Sequence, residues 1–280
     1  MMVGVTVRTE AVKTDAGRLD VHEDGPVDGS PVLLLHGFPQ GAYCWDAVVP
    51  VLTGAGYRTV APDQRGYSPG ARPRGRAAYA LSRAVADAAA VIDERCGGRA
   101  HVVGHDWGAA VAWRLAARHP GRVRTLTAVS VPPVTAYLRS VFSSRQALAS
   151  WYIAALQMPA LPERLLSDPE RFAALLRRSG QSHERAERDA RGLADPDALR
   201  GAISWYRALA TRPPVQDPPV TVPTLFVWSD GDVAITRQAT ETAHRYVTGP
   251  YRYAELRGVS HWVPEEAPDE LGALLLDHLT

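Results

Sequence analysis

The 280-residue sequence predicts an α/β fold, a mostly parallel central sheet flanked by helices on both faces and interrupted once by a helical insertion. Three observations lead there. Short unbroken apolar runs, Val32 to Leu35 and the segment 222–228, have the form of strands buried on both faces. Between such runs, apolar residues recur at steps of three or four, the period of a helix. From Pro133 to Pro219 the strand signals stop and only helical ones remain, so a core of residues 1–132 and 220–280 is expected to carry an inserted helical cap over 133–219.

Taken in order, Val3, Val5 and Val7 alternate, the chain turns near Asp15 to Gly17, and Leu19 and Val21 resume the alternation, which predicts an opening hairpin. Val32 to Leu35 stops at His36-Gly37. Trp45, Val48, Val49 and Leu52 have helical spacing, and Tyr57 to Ala61 reads as the next strand. Val85, Ala89, Ile92 and Cys96 mark a helix between 80 and 96. His101 to Gly104 is a short strand entering a sharp turn, Ala109 to His119 a helix stopped by Pro120, and Val123 to Val129 a further strand.

Within the insertion, Ser167-Asp-Pro-Glu170 has the pattern of a capping box with proline in the first turn, leading into Phe172, Leu175 and Leu176. Asp195-Pro196 starts another helix the same way. The charged run from Ser182 to Leu193 predicts a solvated face. Beyond the insertion, Tyr251 to Leu256 alternates as a strand, and Leu271, Leu274, Leu275 and Leu279 mark a closing helix.

Composition narrows the function. A chain of this length can bury around 70% of its surface, enough for a sizeable core. Lys and Arg number 31 against 30 Asp and Glu, a formal charge of +1 that lacks the concentrated basic face needed to hold nucleic acid. Cys44 and Cys96 are the only cysteines and form no metal or redox motif, as expected of free thiols in a reducing compartment. The start has no basic lead followed by a long apolar segment, and apolar runs are too short to span a bilayer, so a cytoplasmic location is expected. No glycine-rich nucleotide fingerprint or coherent metal-ligand cluster is present, so neither cofactor nor metal is expected.

The segment with the most chemistry is Val102-Val103-Gly104-His105-Asp106-Trp107-Gly108-Ala109-Ala110. Small residues two before and two after Asp106 permit a strand-to-helix turn that lifts the central side chain out of the sheet. A carboxylate there is nucleophilic once ionised, attacks carbon directly and leaves an ester that a base must clear. The competing reading is that Asp106 merely caps its helix. His261, in a glycine-containing loop after a late strand, is the base expected to activate water against that ester. Asp232 and Asp230 in Trp228-Ser-Asp-Gly-Asp232 both qualify as the carboxylate orienting the imidazole, and spacing alone does not separate them. The backbone amides of Phe38, after His36-Gly37, and of Trp107, after the nucleophile, are the expected oxyanion donors, and both side chains are expected to line an apolar pocket.

Together HGFPQ at 36–40, DQRGYSPG at 63–70, GHDWGAAVAW at 104–113, SDGD at 229–232 and GVSHW at 258–262 resemble the α/β-hydrolase-fold epoxide hydrolases over nearly the full length. The resemblance implies an α/β-hydrolase fold and a covalent aspartyl ester on Asp106, and it favours Asp232 over Asp230 as the partner of His261. It further implies that Tyr152, in SWYIAALQMP, and Tyr206, in ISWYR, donate to the opening epoxide oxygen. The implied substrates are water and a small apolar or amphipathic epoxide, released as a vicinal diol. Haloalkane and haloacid dehalogenases share the nucleophile and the His/Asp pair but need N–H groups to hold halide. Trp107 offers one, and Trp151 and Trp205, just before the two tyrosines, are read as further substrate-binding residues. A noncatalytic small-molecule binding protein is the alternative outside enzymes. Asp63 and Arg65 are expected to organise a loop beside the pocket.

Overall fold

In the computed structural model, which describes residues 8–211 and 216–280, eight strands form one sheet. In chain order they are β1 (Arg8–Thr14), β2 (Gly17–Asp24), β3 (Pro31–Leu35), β4 (Arg58–Pro62), β5 (Ala100–His105), β6 (Val123–Val129), β7 (Thr224–Ser229) and β8 (Tyr251–Leu256). Across the sheet they run β1-β2-β4-β3-β5-β6-β7-β8, with β2 antiparallel to both neighbours and the rest parallel. The opening hairpin is present from Arg8 onward, while Val3, Val5 and Val7 lie outside the described residues.

The apolar run of β3 is divided by the strand's period of two. Leu33 and Leu35 face one layer, with Val102, Val111 and Leu115; Val32 and Leu34 face the other, with Trp45, Leu52, Leu271 and Leu275. All five β3 residues are buried, as a strand covered on both sides must be. The covering helices are α1 (Val49–Gly54), α2 (Leu81–Arg95) and α3 (Trp107–Arg118). One expected helix is split: Ala42–Trp45 is a single 3₁₀ turn and α1 begins only at Val49. Pro50 has no N–H to give to a preceding turn, so it fits a first turn and not a helix interior. Trp45, Val48 and Leu52 are nevertheless all buried.

Between β6 and β7 come α4 (Val134–Ser143), α5 (Gln146–Ala149), α6 (Trp151–Leu156), α7 (Leu161–Leu166), α8 (Pro169–Arg178), α9 (His183–Gly192) and α10 (Pro196–Ala208), with no strand among the described residues. These helices bury Phe172, Ala186, Leu199, Ile203 and Tyr206 against one another and against Trp262 of the core. Two local expectations change. Asp168, not Ser167, caps α8, its carboxylate accepting from the N–H groups of Glu170 and Arg171, because Pro169 occupies the first helical position. The charged run at 182–193 forms α9 with Ala186, Asp189 and Ala190 buried, so one face is not solvated; an Arg188 ion pair and a Gln181 hydrogen bond make the buried Asp189 tolerable.

The chain closes with α11 (Arg237–Thr240), α12 (Val263–Glu266) and α13 (Pro268–His278). In the loop after β4, Arg65 is buried and donates to Asp87 at 2.7 and 2.8 Å and to Asp15 at 2.8 Å. Asp63 accepts from the Ala42 N–H at 2.8 Å and pairs with His22 at 3.1 Å. Both organise their loop, and neither borders the two cavities beside Asp106. No helix among the described residues is long and apolar enough to cross a membrane. Strand order reverses about β3, and the loops leaving the carboxyl ends of β3, β5, β6, β7 and β8 gather at that end of the sheet, where open α/β folds hold ligands.

Candidate active site

Asp106 sits between β5 and α3 with φ 53° and ψ −118°, a conformation that costs a non-glycine residue about 1–3 kcal/mol. The turn is tight enough that a Cβ on Gly104 would lie 2.2 Å from the Gly108 carbonyl oxygen, and one on Gly108 would lie 2.0 Å from that of Leu35. Glycine at both places is therefore a packing requirement. The Asp106 carboxylate does not cap α3. Instead its Oδ1 accepts from the Phe38 N–H at 2.8 Å, and Gly37 brings that loop so close that a Cβ there would be 2.3 Å from the carboxylate. Among the described residues the Trp107 amide, the other expected donor, makes no matching bond to Asp106 in this state.

On the far side of the carboxylate, His261 Nε2 lies 3.7 Å from Asp106 Oδ2, and its Nδ1 donates to Asp232 Oδ2 at 2.7 Å. The other Asp232 oxygen accepts from the N–H groups of Ala234 and Ile235 at 2.8 and 2.9 Å, so a fully buried carboxylate has all its demands met. Asp230 is the turn residue of the pair: its Oδ1 accepts from the Gly258 N–H at 2.7 Å. The His261 backbone is also held. Its carbonyl accepts from His105 Nε2 at 2.9 Å and Ser130 Oγ at 3.3 Å, while Ser229 Oγ donates to the Ser260 carbonyl at 2.7 Å. These three braces sit at the ends of β5, β6 and β7. No motif contains Ser130; Ser229 stands inside SDGD and His105 inside GHDWG, but neither motif marks them as braces of His261.

Electrostatics follow from this packing. Burial alone would lower the His261 pKa, but the charges of Asp232 and Asp106 and its bonds to them raise it to about 10. Burial would raise Asp106, yet the hydrogen bond and charge of His261, with the Phe38 amide, leave it below the ordinary carboxylate range. Each of the two groups thus favours the charged form of the other. His105 is pushed down to about 4 by burial and then by His261, so it stays neutral and serves as a donor.

Tyr152, from α6, and Tyr206, from α10, face Asp106 from the insertion with ring centroids 5.9 Å apart. Burial, then the Asp106 charge, raises both phenols well above their usual range, so they remain O–H donors. Tyr206 meets Phe38 and Trp107 edge-on at 5.3 and 5.2 Å. Asp106, Tyr152 and Tyr206 border two spaces at once, a cavity of about 750 Å³ that also touches Phe38, Trp151 and His261, and one of about 80 Å³ that touches Trp107. The interrupted α5–α6 stretch still brings Leu148, Tyr152, Ala155 and Leu156 to the larger cavity. Trp205 is the expected pocket residue that fails to reach either. Its ring is buried behind Trp107 and its indole N–H donates to the Arg65 carbonyl at 2.9 Å, because α10 turns that face toward the core. Among the described residues no group of three or more His, Cys, Asp or Glu is arranged to hold a metal ion.

Residues 32–274 match the Alpha/beta hydrolase family. Over 96% of both chains the protein is 33% identical to Epoxide hydrolase A of Mycobacterium tuberculosis, and over 98% of both it is 33% identical to the AB hydrolase superfamily protein YfhM of Bacillus subtilis. The crystal structure of Epoxide Hydrolase A from Mycobacterium thermoresistibile superposes with a TM-score of 0.85 at 30% identity, covering 98% of each chain. The chain belongs to the alpha/beta hydrolase family, in the company of relatives named epoxide hydrolases.

Proposed function

We propose that the protein is an epoxide hydrolase acting through an ester on Asp106, with residues 133–219 serving as a cap that supplies the oxygen-stabilising groups. The observation that carries this is the convergence on one carboxylate of an imidazole–carboxylate pair from the core and two phenols from the insertion. The relatives' names point the same way.

In the proposed cycle an Asp106 oxygen attacks one epoxide carbon, the C–O bond breaks, and the alkoxide takes a proton from Tyr152 or Tyr206. The imidazolium proton of His261 restores the phenol. Forming the ester removes the Asp106 charge that helps hold His261 protonated, so alkylation itself releases the base for the second step. Neutral His261, oriented by Asp232, then takes a proton from water as the oxygen adds to the ester carbonyl. The Phe38 N–H, already 2.8 Å from Oδ1, stabilises the oxyanion, with the Trp107 amide as the second donor once charge develops. Collapse breaks the acyl C–O bond, the leaving alkoxide taking the proton of the added hydroxyl, so that Asp106 returns as a carboxylate beside the imidazolium and the diol leaves carrying one oxygen from Asp106.

Halide release is less well served, since the Trp205 N–H is already bound to Arg65. A His261→Gln variant exposed to an epoxide such as styrene oxide tests the cycle by mass spectrometry. A stoichiometric adduct on the Asp106 peptide is expected. Normal turnover without adduct, or modification elsewhere, refutes the assigned roles, and halide release from haloalkanes without diol formation from epoxides favours the dehalogenase reading.

A further inference from the structure

We infer that the substrate is an unsymmetrical epoxide with one short and one long apolar arm, an inference that rests on the epoxide reading above. The nucleophile acts on a ring carbon and the phenols on the adjoining oxygen, so the three-membered ring is held where Asp106, Tyr152 and Tyr206 meet. From that point substituents enter two spaces of very different size. The larger, about 750 Å³, is walled by side chains such as Leu148, Leu165 and Leu176. The smaller, about 80 Å³, is bordered by Tyr137, Leu209 and Ile235, and among the described residues Asp106 is the only charged one on it. The smaller space, about a ninth the volume of the larger, takes only a short arm. The larger takes a far longer arm, and each CH₂ buried there strengthens binding roughly fourfold.

The test is kcat/KM on disubstituted epoxides with a constant octyl arm and a second arm growing from methyl to hexyl. Turnover is expected to hold through propyl and fall at least tenfold by pentyl, while lengthening the other arm raises it. Leu209→Ala and Ile235→Ala should move the fall to longer arms. Equal turnover of methyl- and hexyl-armed substrates overturns the inference while leaving the epoxide reading intact. Failure of every arm length to alkylate Asp106 in the His261→Gln variant overturns both.

A separate network points to Glu265 as a positioning residue. Its Oε1 accepts from Arg188 of α9 at 2.6 Å and its Oε2 from Gln40 at 2.7 Å, so one buried carboxylate joins the insertion to the core. Gln40 closes the turn that presents the Phe38 amide, its N–H donating to the Gly37 carbonyl at 3.0 Å. Glu265 itself stands four residues after His261, on the helix whose first backbone bonds go to Trp262. We propose that Glu265 keeps the Phe38 amide and His261 in mutual register for ester hydrolysis.

Single-turnover rates of ester formation and ester loss separate this from simple stabilisation. Glu265→Leu should slow ester loss about tenfold or more, formation changing far less, so that ester accumulates. Glu265→Gln, whose amide oxygen still accepts from Gln40, should stay within about threefold of the parent. If Glu265→Leu does not fold, Gln40→Leu cuts the same link at its other end and should accumulate ester too. Unchanged ester loss per folded molecule in Glu265→Leu or Gln40→Leu overturns the proposal.

Discussion

The two halves of the site differ in how far their polar groups are committed before substrate arrives. On the core side, both Asp232 oxygens, the Phe38 N–H and the His261 carbonyl are all engaged, and each partner hangs from the end of a strand or the loop after it. On the insertion side, Tyr152 and Tyr206 are held by ring packing and, for Tyr206, by a hydrogen bond from the Trp107 side chain, and among the described residues no backbone carbonyl or carboxylate accepts from either hydroxyl. Charge is thus handled by prebuilt machinery, whereas the groups that would meet a neutral substrate's oxygen keep their O–H protons available to donate. Donors already aligned with developing charge cost no reorganisation when it appears, and that favours committing the core half in advance.

The contrast is broken most severely at Asp106. Asp106→Ala should lower kcat by about 10⁴-fold or more, as removing a covalent nucleophile generally does, with the fold intact by circular dichroism. Removing the insertion's donors should cost less and strike a different step. Tyr152→Phe or Tyr206→Phe is expected to slow ester formation by roughly 10²-fold, the loss typical of one oxyanion donor, while ester loss is unchanged. Rapid-quench mass spectrometry measures both rates. Equal slowing of the two steps would mean that the phenols serve the core half as well, and the division between the halves would fail.

A smaller effect sharpens the core half alone. In the parent, His261 is raised to about 10, in part by the Asp106 charge. Asp106→Asn removes that charge, and the His261 pKa read by imidazole NMR should fall. A histidine raised on folding contributes stability that is fully present below its ordinary value near 6.5 and is lost as pH rises through about 10. The parent should therefore lose stability across that window more steeply than the variant, as urea melts at pH 6 and pH 10 would register. An unchanged His261 pKa would mean that Asp232 alone sets it, and alkylation would no longer release the base.

The same division explains what could be read from the residues. Strands β3 and β7, the elbow at Asp106 and the loop of His261 were legible because a strand buried on both faces leaves an unbroken apolar run, and because Gly104 and Gly108 are demanded by contacts of 2.0–2.2 Å, whereas the half-exposed β8 was legible by its alternation. The partner of His261 was not legible from spacing: Asp230 and Asp232 lie two residues apart, and only the fold sends one to Gly258 and the other to the imidazole. The bracing roles of Ser130 and Ser229 were not legible for the same reason, since their partners stand 131 and 31 residues away. In the insertion the rotation of each helix decides the outcome. Trp205 and Tyr206 are adjacent, yet one faces the core and the other faces Asp106.

The smallest effect tests why the insertion's helices hold at all. Helices α2 and α3 have no side-chain cap and are positioned by the sheet they cover. In the insertion α4 to α7 likewise have no side-chain cap, whereas α8, α9 and α10 begin on Asp168, Ser182 and Asp195, each accepting from at least one N–H of its own first turn. Elements without a sheet beneath them depend more on local terms, because a short helix in water is marginal on propensity alone. Asp168→Ala removes two such bonds and should lower stability by about 1 kcal/mol. Helix α8 also supplies Phe172 and Leu176 to the wall of the larger cavity, so loosening its first turn should raise KM for long-armed epoxides more than it lowers kcat. Kinetics on long- and short-armed substrates, beside a urea melt, would show this. A drop in kcat equal to that of Tyr152→Phe would instead place α8 among the elements that aim the phenols, and the cap would then act as one unit with its tyrosines.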